Sequence, residues 1–207
     1  MKQTAFYKLI FIVIGFAIPS LVAAQESWKE GEHYTVISSK ASDDKQIREV
    51  FSFWCPHCYT FESIAKELKT KLPSDVTFIK AHVNFMGSTT KEAQNDATSA
   101  MLAASALGQE DMFNQALFEA IHKDRKNVTG MQDILTIFAE AGGDSEKLLR
   151  MTKSFGIRGK VSKNNKLTTG VSSVPTFIVN NKYQAIFTRN MTPDQFISLL
   201  LWLTTQK

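Results

Sequence analysis

Two cysteines are the residues of this 207-residue chain whose type and spacing most directly predict chemistry. Cys55 and Cys58 are its only cysteines, and Pro56 and His57 separate them. Two thiols at this spacing can form a reversible disulfide, and the thiolate of one cysteine is the form that takes part in exchange. We therefore interpret the pair as a redox-active dithiol.

The neighbouring segments predict where the first of these thiols lies. Residues 50–54 are an apolar run typical of a strand, and apolar residues at three- and four-residue steps then predict a helix that Pro73 ends. Cys55 would cap this helix and Pro56 would be its first residue, where a missing N–H costs nothing. The unpaired N–H groups and the positive end of the helix dipole would stabilise the thiolate of Cys55.

Three other roles for the pair fit the sequence less well. A structural zinc site needs four ligands, and the sequence has no second cysteine pair or His-x-His spacing. Haem attachment needs histidine directly after the second cysteine, where Tyr59 stands. A structural disulfide across two residues would close a very short loop and remove little entropy from the unfolded chain. A redox role is favoured, and no metal or cofactor is expected.

The N-terminus predicts export. Lys2 and Lys8 precede an apolar stretch, residues 9–18, and small residues follow up to Ala24. This pattern is typical of a signal peptide, residues 1–24, cleaved after Ala24; the stretch is short for the alternative, a membrane anchor. We expect the mature chain in the periplasm, an oxidising compartment.

The composition limits the partners and the role of the cysteines. The formal charge is +4, and it would be +2 without Lys2 and Lys8, which argues against nucleic acid as a partner. About 180 residues would remain, enough to bury a core without disulfides. The cysteine pair is therefore expected to serve chemistry.

The order of predicted elements indicates an α/β fold. Strand patterns at residues 34–37 and 47–54 precede the helix at 56–72, and another strand pattern covers residues 76–85. A strand, helix and strand in this order predict a crossover onto a parallel sheet.

A helical insertion is expected to interrupt the sheet. Residues 88–169 show helical spacing punctuated by glycines, which predicts four to six short helices, and strand patterns resume at Val174. We expect residues 25–87 and 170–207 to form the two parts of one α/β domain around this insertion. Asn180 and Asn181 would turn a hairpin within the second part, before a final helix.

Three segments resemble the DsbA family of exported thiol oxidases, which have a thioredoxin fold. They are FSFWCPHCYTFE (residues 51–62), HVNFMG (82–87) and VP (174–175). The resemblance implies a thioredoxin-like fold with an inserted helical domain. It also implies a cis peptide bond before Pro175, in a loop facing the dithiol; sequence alone would favour trans. Val174 and Pro175 would contact substrate through free main-chain groups.

Charged residues near the motif have two interpretations. Glu49 and Lys80 interrupt apolar strands, and Glu62 lies one helical turn after Cys58. Glu62 and Lys66 could form an exposed helix pair worth a few tenths of a kcal/mol. The resemblance instead implies that Glu49, Glu62 and Lys80 are buried together beneath Cys58, where they tune the dithiol.

His57 could favour the thiolate of Cys55 if its ring is close and protonated; otherwise it is an exposed turn residue.

A client thiolate would attack Cys55, the more exposed sulfur, and a second client thiol would resolve the mixed disulfide. The sequence thus predicts a thiol:disulfide oxidoreductase that introduces disulfides into exported proteins.

The resemblance further implies reoxidation by a DsbB-like, quinone-linked membrane oxidase. We expect a monomer, because the short segment before Tyr34 leaves no room for a separate dimerisation domain. An isomerase or reductase of the same fold is the first alternative. A peptide-holding chaperone with incidental cysteines is the second.

Overall fold

A five-stranded mixed sheet forms the centre of the fold in the computed structural model, which describes residues 27–206. Its strands are β1 (Tyr34–Val36), β2 (Lys45–Phe51), β3 (Val76–His82), β4 (Thr176–Val179) and β5 (Tyr183–Ala185). They are arranged in the order β1-β5-β4-β2-β3, with β2 and β3 parallel and the other neighbours antiparallel. The predicted signal peptide, residues 1–24, lies outside the described residues.

Helices connect and cover these strands. They are α1 (Pro56–Lys71), α2 (Lys91–Ala106), α3 (Glu110–His122), α4 (Met131–Glu140), α5 (Ser145–Thr152), α6 (Phe155–Leu167) and α7 (Pro193–Leu203). Helix α1 makes the predicted crossover between β2 and β3, and α2 to α6 lie between β3 and β4 along the chain. The α/β class with helices inserted into a sheet is confirmed. Over residues 27–206, every helix is too short or too polar to span a bilayer.

The predicted strands were too long at the ends nearest the active site. Strand β2 ends at Phe51 instead of residue 54, because the chain turns there: the N–H of Trp54 donates to Ser52 Oγ (3.2 Å) and that of Cys55 to the Ser52 carbonyl (3.1 Å). Strand β3 ends at His82 instead of residue 85. An apolar run indicates that a segment is buried, but it does not distinguish a buried turn from a paired strand.

The β4–β5 hairpin turns as predicted. Asn180 and Asn181 both have positive φ, 51° and 54°, which suits the two-residue turn that joins twisted antiparallel strands. The side chain of Asn180 also accepts from the N–H of Gln46 at 3.0 Å, so it ties the turn to β2. The hairpin therefore holds β4 beside the strand that carries the cysteines.

The dithiol belongs to the hydrophobic core of the helical block. Both cysteines cluster with Phe51, Phe53 and Trp54 and with buried residues of α2 to α6. A second cluster, on α1, α7 and the β4–β5 hairpin, includes Leu68. The end of β2 and the start of α1 thus lie between two cores that fix the position of the cysteines.

Candidate active site

Cys55 lies at the N-cap of α1, as the sequence predicts. Its backbone is extended (φ −96°, ψ 114°), and its Sγ accepts a hydrogen bond from the N–H of Cys58 at 3.3 Å. Pro56 is the first helical residue, and the N–H of Tyr59 donates to the Cys55 carbonyl at 3.1 Å. The sulfur therefore takes the place of the side-chain oxygen that caps most helices.

This position separates the two thiols electrostatically. The pKa of Cys55 is lowered to about 6, first by the hydrogen bond from the Cys58 side chain and then by the N–H groups of Cys58 and His57, although burial opposes the shift. The pKa of Cys58 is raised, first by that same hydrogen bond and then by burial. At neutral pH the reduced site holds a Cys55 thiolate beside a Cys58 thiol.

Cys55 is more enclosed than the sequence predicted. Cys55 is only 4% exposed and Cys58 is fully buried, because Phe53 and Trp54 pack into the same cluster. Cys55 remains the more accessible of the two. A client thiolate must therefore reach into the site to attack Cys55.

The loop before β4 faces Cys55. The Val174–Pro175 peptide bond is cis, as the resemblance implied, and Cys55 Sγ lies 3.5 Å from the Val174 carbonyl oxygen, to which the neutral thiol donates and the thiolate does not. Val174 and Pro175 are half-buried, whereas Ser172 and Ser173 before them are exposed. Main-chain groups of this loop therefore border the reactive sulfur.

Glu49, Lys80 and Glu62 form a buried ion cluster. Lys80 Nζ lies 2.8 Å from Glu49 Oε2 and 2.7 Å from Glu62 Oε2, and its side chain is 1% exposed. Glu49 and Lys80 are paired across β2 and β3, and α1 supplies Glu62 from above. Lys66 instead donates to Gln115 at 3.1 Å, so the alternative of an exposed Glu62–Lys66 pair does not hold.

The cluster has one cation for two carboxylates. Burial raises the pKa of Glu49, although Lys80 opposes this. Burial also disfavours the ammonium of Lys80, but the two carboxylates outweigh it and the pKa of Lys80 is raised. Among the described residues Glu49 Oε1 has no hydrogen-bond partner, and the charge of Glu49 contributes to the raised pKa of Cys58. Glu49 is thus a buried carboxyl that can take up a proton near the second thiol.

His57 and Pro56 are exposed on the first turn of α1. His57 lowers the pKa of Cys55 mainly through its backbone N–H, and its charge is a smaller cause. His57 therefore acts on Cys55 mainly through its backbone, and among the described residues no side-chain hydrogen bond joins the two.

Two residues outside the predicted set hold the active-site backbone. The His122 Nε2–H, on the last turn of α3, donates to the Phe53 carbonyl at 2.7 Å, and the ring stacks on Tyr59 with 5.2 Å between centroids. Asn164 of α6 accepts from the N–H of His82 (2.9 Å) and donates to its carbonyl (2.8 Å). The sequence has no local signal for either, because each contact joins segments about 70 to 80 residues apart.

His82 is a packed residue, as expected from its place on a strand. Its Nδ1 lies 2.8 Å from Thr98 Oγ1, which itself donates to the Gln94 carbonyl, so Nδ1 carries the proton. Burial, and then the charge of Lys80, lower the pKa of His82 to about 3. The ring is therefore neutral at physiological pH.

Among residues 27–206, no three His, Cys, Asp or Glu side chains are grouped so that they could hold a metal ion. The arrangement can carry out thiol–disulfide exchange: a stabilised thiolate, a protonated partner thiol, a nearby buried carboxyl and an accessible main-chain edge.

Comparisons with known proteins agree with this chemistry. Residues 46–200 match the model of the DSBA-like thioredoxin domain family. The thiol:disulfide interchange protein DsbA of Haemophilus influenzae is 34% identical over 198 residues, which cover 92% of this chain and 93% of that protein. DsbA of Escherichia coli (strain K12) is 34% identical over 182 residues, 86% of each chain.

Solved structures give the same result. The crystal structure of Pseudomonas aeruginosa DsbA has a TM-score of 0.73 and 31% identity, covering 86% of this chain and 93% of that one. A complex of Proteus mirabilis DsbA with a non-covalently bound peptide, PWATCDS, has a TM-score of 0.74 and 26% identity, covering 87% and 100%. The chain belongs to the DSBA-like thioredoxin domain family, and it is a thiol:disulfide oxidoreductase.

Proposed function

We propose that this oxidoreductase works as a donor of disulfides, and that Cys55 and Cys58 carry the exchanged bond. The observation that carries this proposal is the capped position of Cys55, whose Sγ accepts the Cys58 N–H at 3.3 Å. A thiolate stabilised in the reduced protein makes the disulfide easier to reduce, so electrons flow from client to enzyme.

The reaction proceeds in two exchange steps. A client thiolate attacks Cys55 Sγ of the enzyme disulfide; the S–S bond breaks, and Cys58 leaves as a thiolate. A second client thiolate attacks the client sulfur of the mixed disulfide, and Cys55 leaves as a stabilised thiolate. The client loses two electrons and two thiol protons; the enzyme disulfide gains the electrons, Cys58 keeps one proton, and the other enters the solvent at neutral pH.

Cys58 needs a proton as it leaves, because its pKa is raised. We assign Glu49 as the donor, since burial raises its pKa and its charge acts on Cys58. Lys80 holds Glu49 in place, and Glu62 balances Lys80 from α1. Pro56 and His57 tune Cys55 from the first helical turn, Pro56 through helix geometry and His57 through its N–H and charge.

Val174 and Pro175 are the proposed client contacts. The exposed Ser172 and Ser173 lead into this loop, whose main-chain groups can pair with an extended segment beside Cys55. Such pairing gives affinity with little dependence on client sequence. The peptide bound to the Proteus mirabilis relative supports a peptide site in this family.

The setting of the reaction is proposed from the sequence. Residues 1–24 direct export, the processed chain acts as a monomer in the periplasm on reduced exported proteins, and a DsbB-like membrane oxidase reoxidises it.

Residues 88–169 form the inserted helical domain between the two parts, 25–87 and 170–207, of the thioredoxin-like domain. This domain supports the site because its core includes both cysteines.

The test is client oxidation by the purified, oxidised protein, using a peptide with two cysteines. The wild type should yield oxidised peptide, and Cys55→Ser should yield none. Cys58→Ser, first oxidised at Cys55 with a small disulfide and then given a peptide with a single cysteine, should accumulate a mixed disulfide through Cys55, detected by mass spectrometry.

Two outcomes would reject the proposal. In the wild type, a mixed disulfide between the client and Cys58 would show that the client attacks Cys58 instead of Cys55. If neither the wild type nor Cys55→Ser oxidises the client, and both protect an unfolded client equally well, the protein would be a chaperone.

A further inference from the structure

The outer surface of α6 carries a concentration of positive charge that the disulfide chemistry does not use. Residues 153–170 contain five of the chain's 24 basic residues and none of its 20 acidic ones. All five are exposed: Lys153, Arg158, Lys160, Lys163 and Lys166. Within residues 27–206, none of the five forms an ion pair, although lysines elsewhere on the surface do.

Phe155 stands out on the same surface. It is 83% exposed, well above the next large apolar side chains, Ile37 and Phe85, at 47%. The Arg158 guanidinium lies 5.7 Å from its ring centroid. The ring cannot turn inward with the helix, because the buried Ile157 and the Asn164 clamp on β3 fix the opposite face of α6.

Helical geometry places these groups together. At 100° per residue, Phe155, Lys163 and Lys166 lie within about 80° of one another on the solvent side. Gly156 and Gly159 lie on the same side, and an added Cβ would meet no atom within 4 Å at either. The fold does not need glycine there, although glycine weakens a helix relative to alanine. With no side chains at these two positions, the ring and the cations are the groups that protrude.

We propose that this face, residues 153–166, docks on the surface of an anionic phospholipid bilayer. The phenyl ring of Phe155 enters the boundary between headgroups and acyl chains, and the cations lie against lipid phosphates. A polar, cationic helix face with an exposed aromatic ring is typical of interfacial membrane binding.

The kind of cation favours lipid over a folded acidic protein. Four of the five are lysines, whose flexible stems suit a fluid array of phosphates, whereas the planar fork of arginine suits fixed carboxylates. Docking would also orient the enzyme, because α6 leads directly into the loop that carries Val174 and the cis-proline. This inference does not depend on the direction of disulfide exchange.

The test is co-sedimentation with lipid vesicles, using the processed chain purified from cells that express the full sequence. Vesicles contain phosphatidylcholine alone or with about one third phosphatidylglycerol. The triple variant Arg158→Gln, Lys163→Gln, Lys166→Gln is compared with a control triple, Lys40→Gln, Lys91→Gln, Arg189→Gln, which removes the same charge from exposed sites elsewhere. Client oxidation by each variant, which should match the wild type, shows that it is folded.

Binding is expected only with phosphatidylglycerol, and it should weaken as salt is added. The α6 triple should bind on the order of 100-fold more weakly, from about fivefold per cation, and the control triple should bind like the wild type. Phe155→Ala should weaken binding about tenfold.

Three results would overturn the proposal. The first is that the wild type does not bind anionic vesicles at low salt. The second is that the two triple variants lose equal affinity for these vesicles. The third is that Phe155→Ala binds them as tightly as the wild type. Binding to a polyglutamate-coated surface but not to vesicles would also overturn it, in favour of an acidic protein partner.

Discussion

The lowered pKa of Cys55 makes the stability of the reduced protein depend on pH. Because the folded pKa is about 6 and the unfolded value about 9, the thiolate stabilises the folded state above pH 6, and this contribution is lost as the pH falls through 6. It amounts to about 0.4 kcal/mol at pH 6, about 1.4 at pH 7 and about 2.7 at pH 8. The raised pKa of Cys58 acts in the opposite direction only above pH 9, where the unfolded thiol ionises.

The assay is urea unfolding of the protein, kept reduced, from pH 6 to pH 8, for the wild type and for Cys55→Ala. Subtracting the variant removes the titration of other groups, and the difference in unfolding free energy should grow by about 2.3 kcal/mol across this range. A difference that stays constant within about 0.5 kcal/mol would refute the reasoning. The oxidised wild type, which has no thiolate, should show no such rise.

Three further substitutions test the surrounding structure. Glu49→Gln should slow reduction of the enzyme disulfide by a client peptide at least about tenfold, measured by stopped-flow fluorescence, because Cys58 loses its proton donor. The surface control Glu67→Gln should leave this rate unchanged. An unchanged rate in Glu49→Gln would exclude Glu49 as the proton donor. Lys80→Met should lower the unfolding free energy by about 3–5 kcal/mol, because two buried carboxylates lose their cation; a loss below about 1 kcal/mol in urea would contradict the ion cluster. His122→Ala should cost about 1–3 kcal/mol and His122→Gln less, since the amide can still donate to the Phe53 carbonyl, and equal losses would refute that bond.

Much of the site was predictable from local sequence. The apolar run before Cys55, the proline after it and the helical spacing beyond are nearest-neighbour signals, and they place the sulfur at the N-cap of α1. The hairpin turn at Asn180 and Asn181 was predictable for the same reason, because its positive φ angles select residue types.

The parts that were not predictable depend on distant contacts. An apolar run did not reveal that Ser52 ends β2 by accepting two hydrogen bonds from its neighbours. The Asn164 clamp and the His122 bond are side-chain contacts to backbone across the fold, and polar residues on helices carry no mark of such partners. The burial of Glu49 with Lys80 was implied only by the family resemblance, because a charge within a strand is equally compatible with solvent exposure.

The most direct test of the account is the equilibrium between the Cys55–Cys58 disulfide and a glutathione buffer at pH 7. The capped thiolate alone, worth about 1.4 kcal/mol at this pH, should make the pair about 30 mV more oxidising. We predict a pair that is reduced more readily than glutathione disulfide, and that loses about 30 mV of this difference as the pH falls from 7 to below 6. A potential near the roughly −270 mV of thioredoxin would contradict the account and indicate a reductase or isomerase.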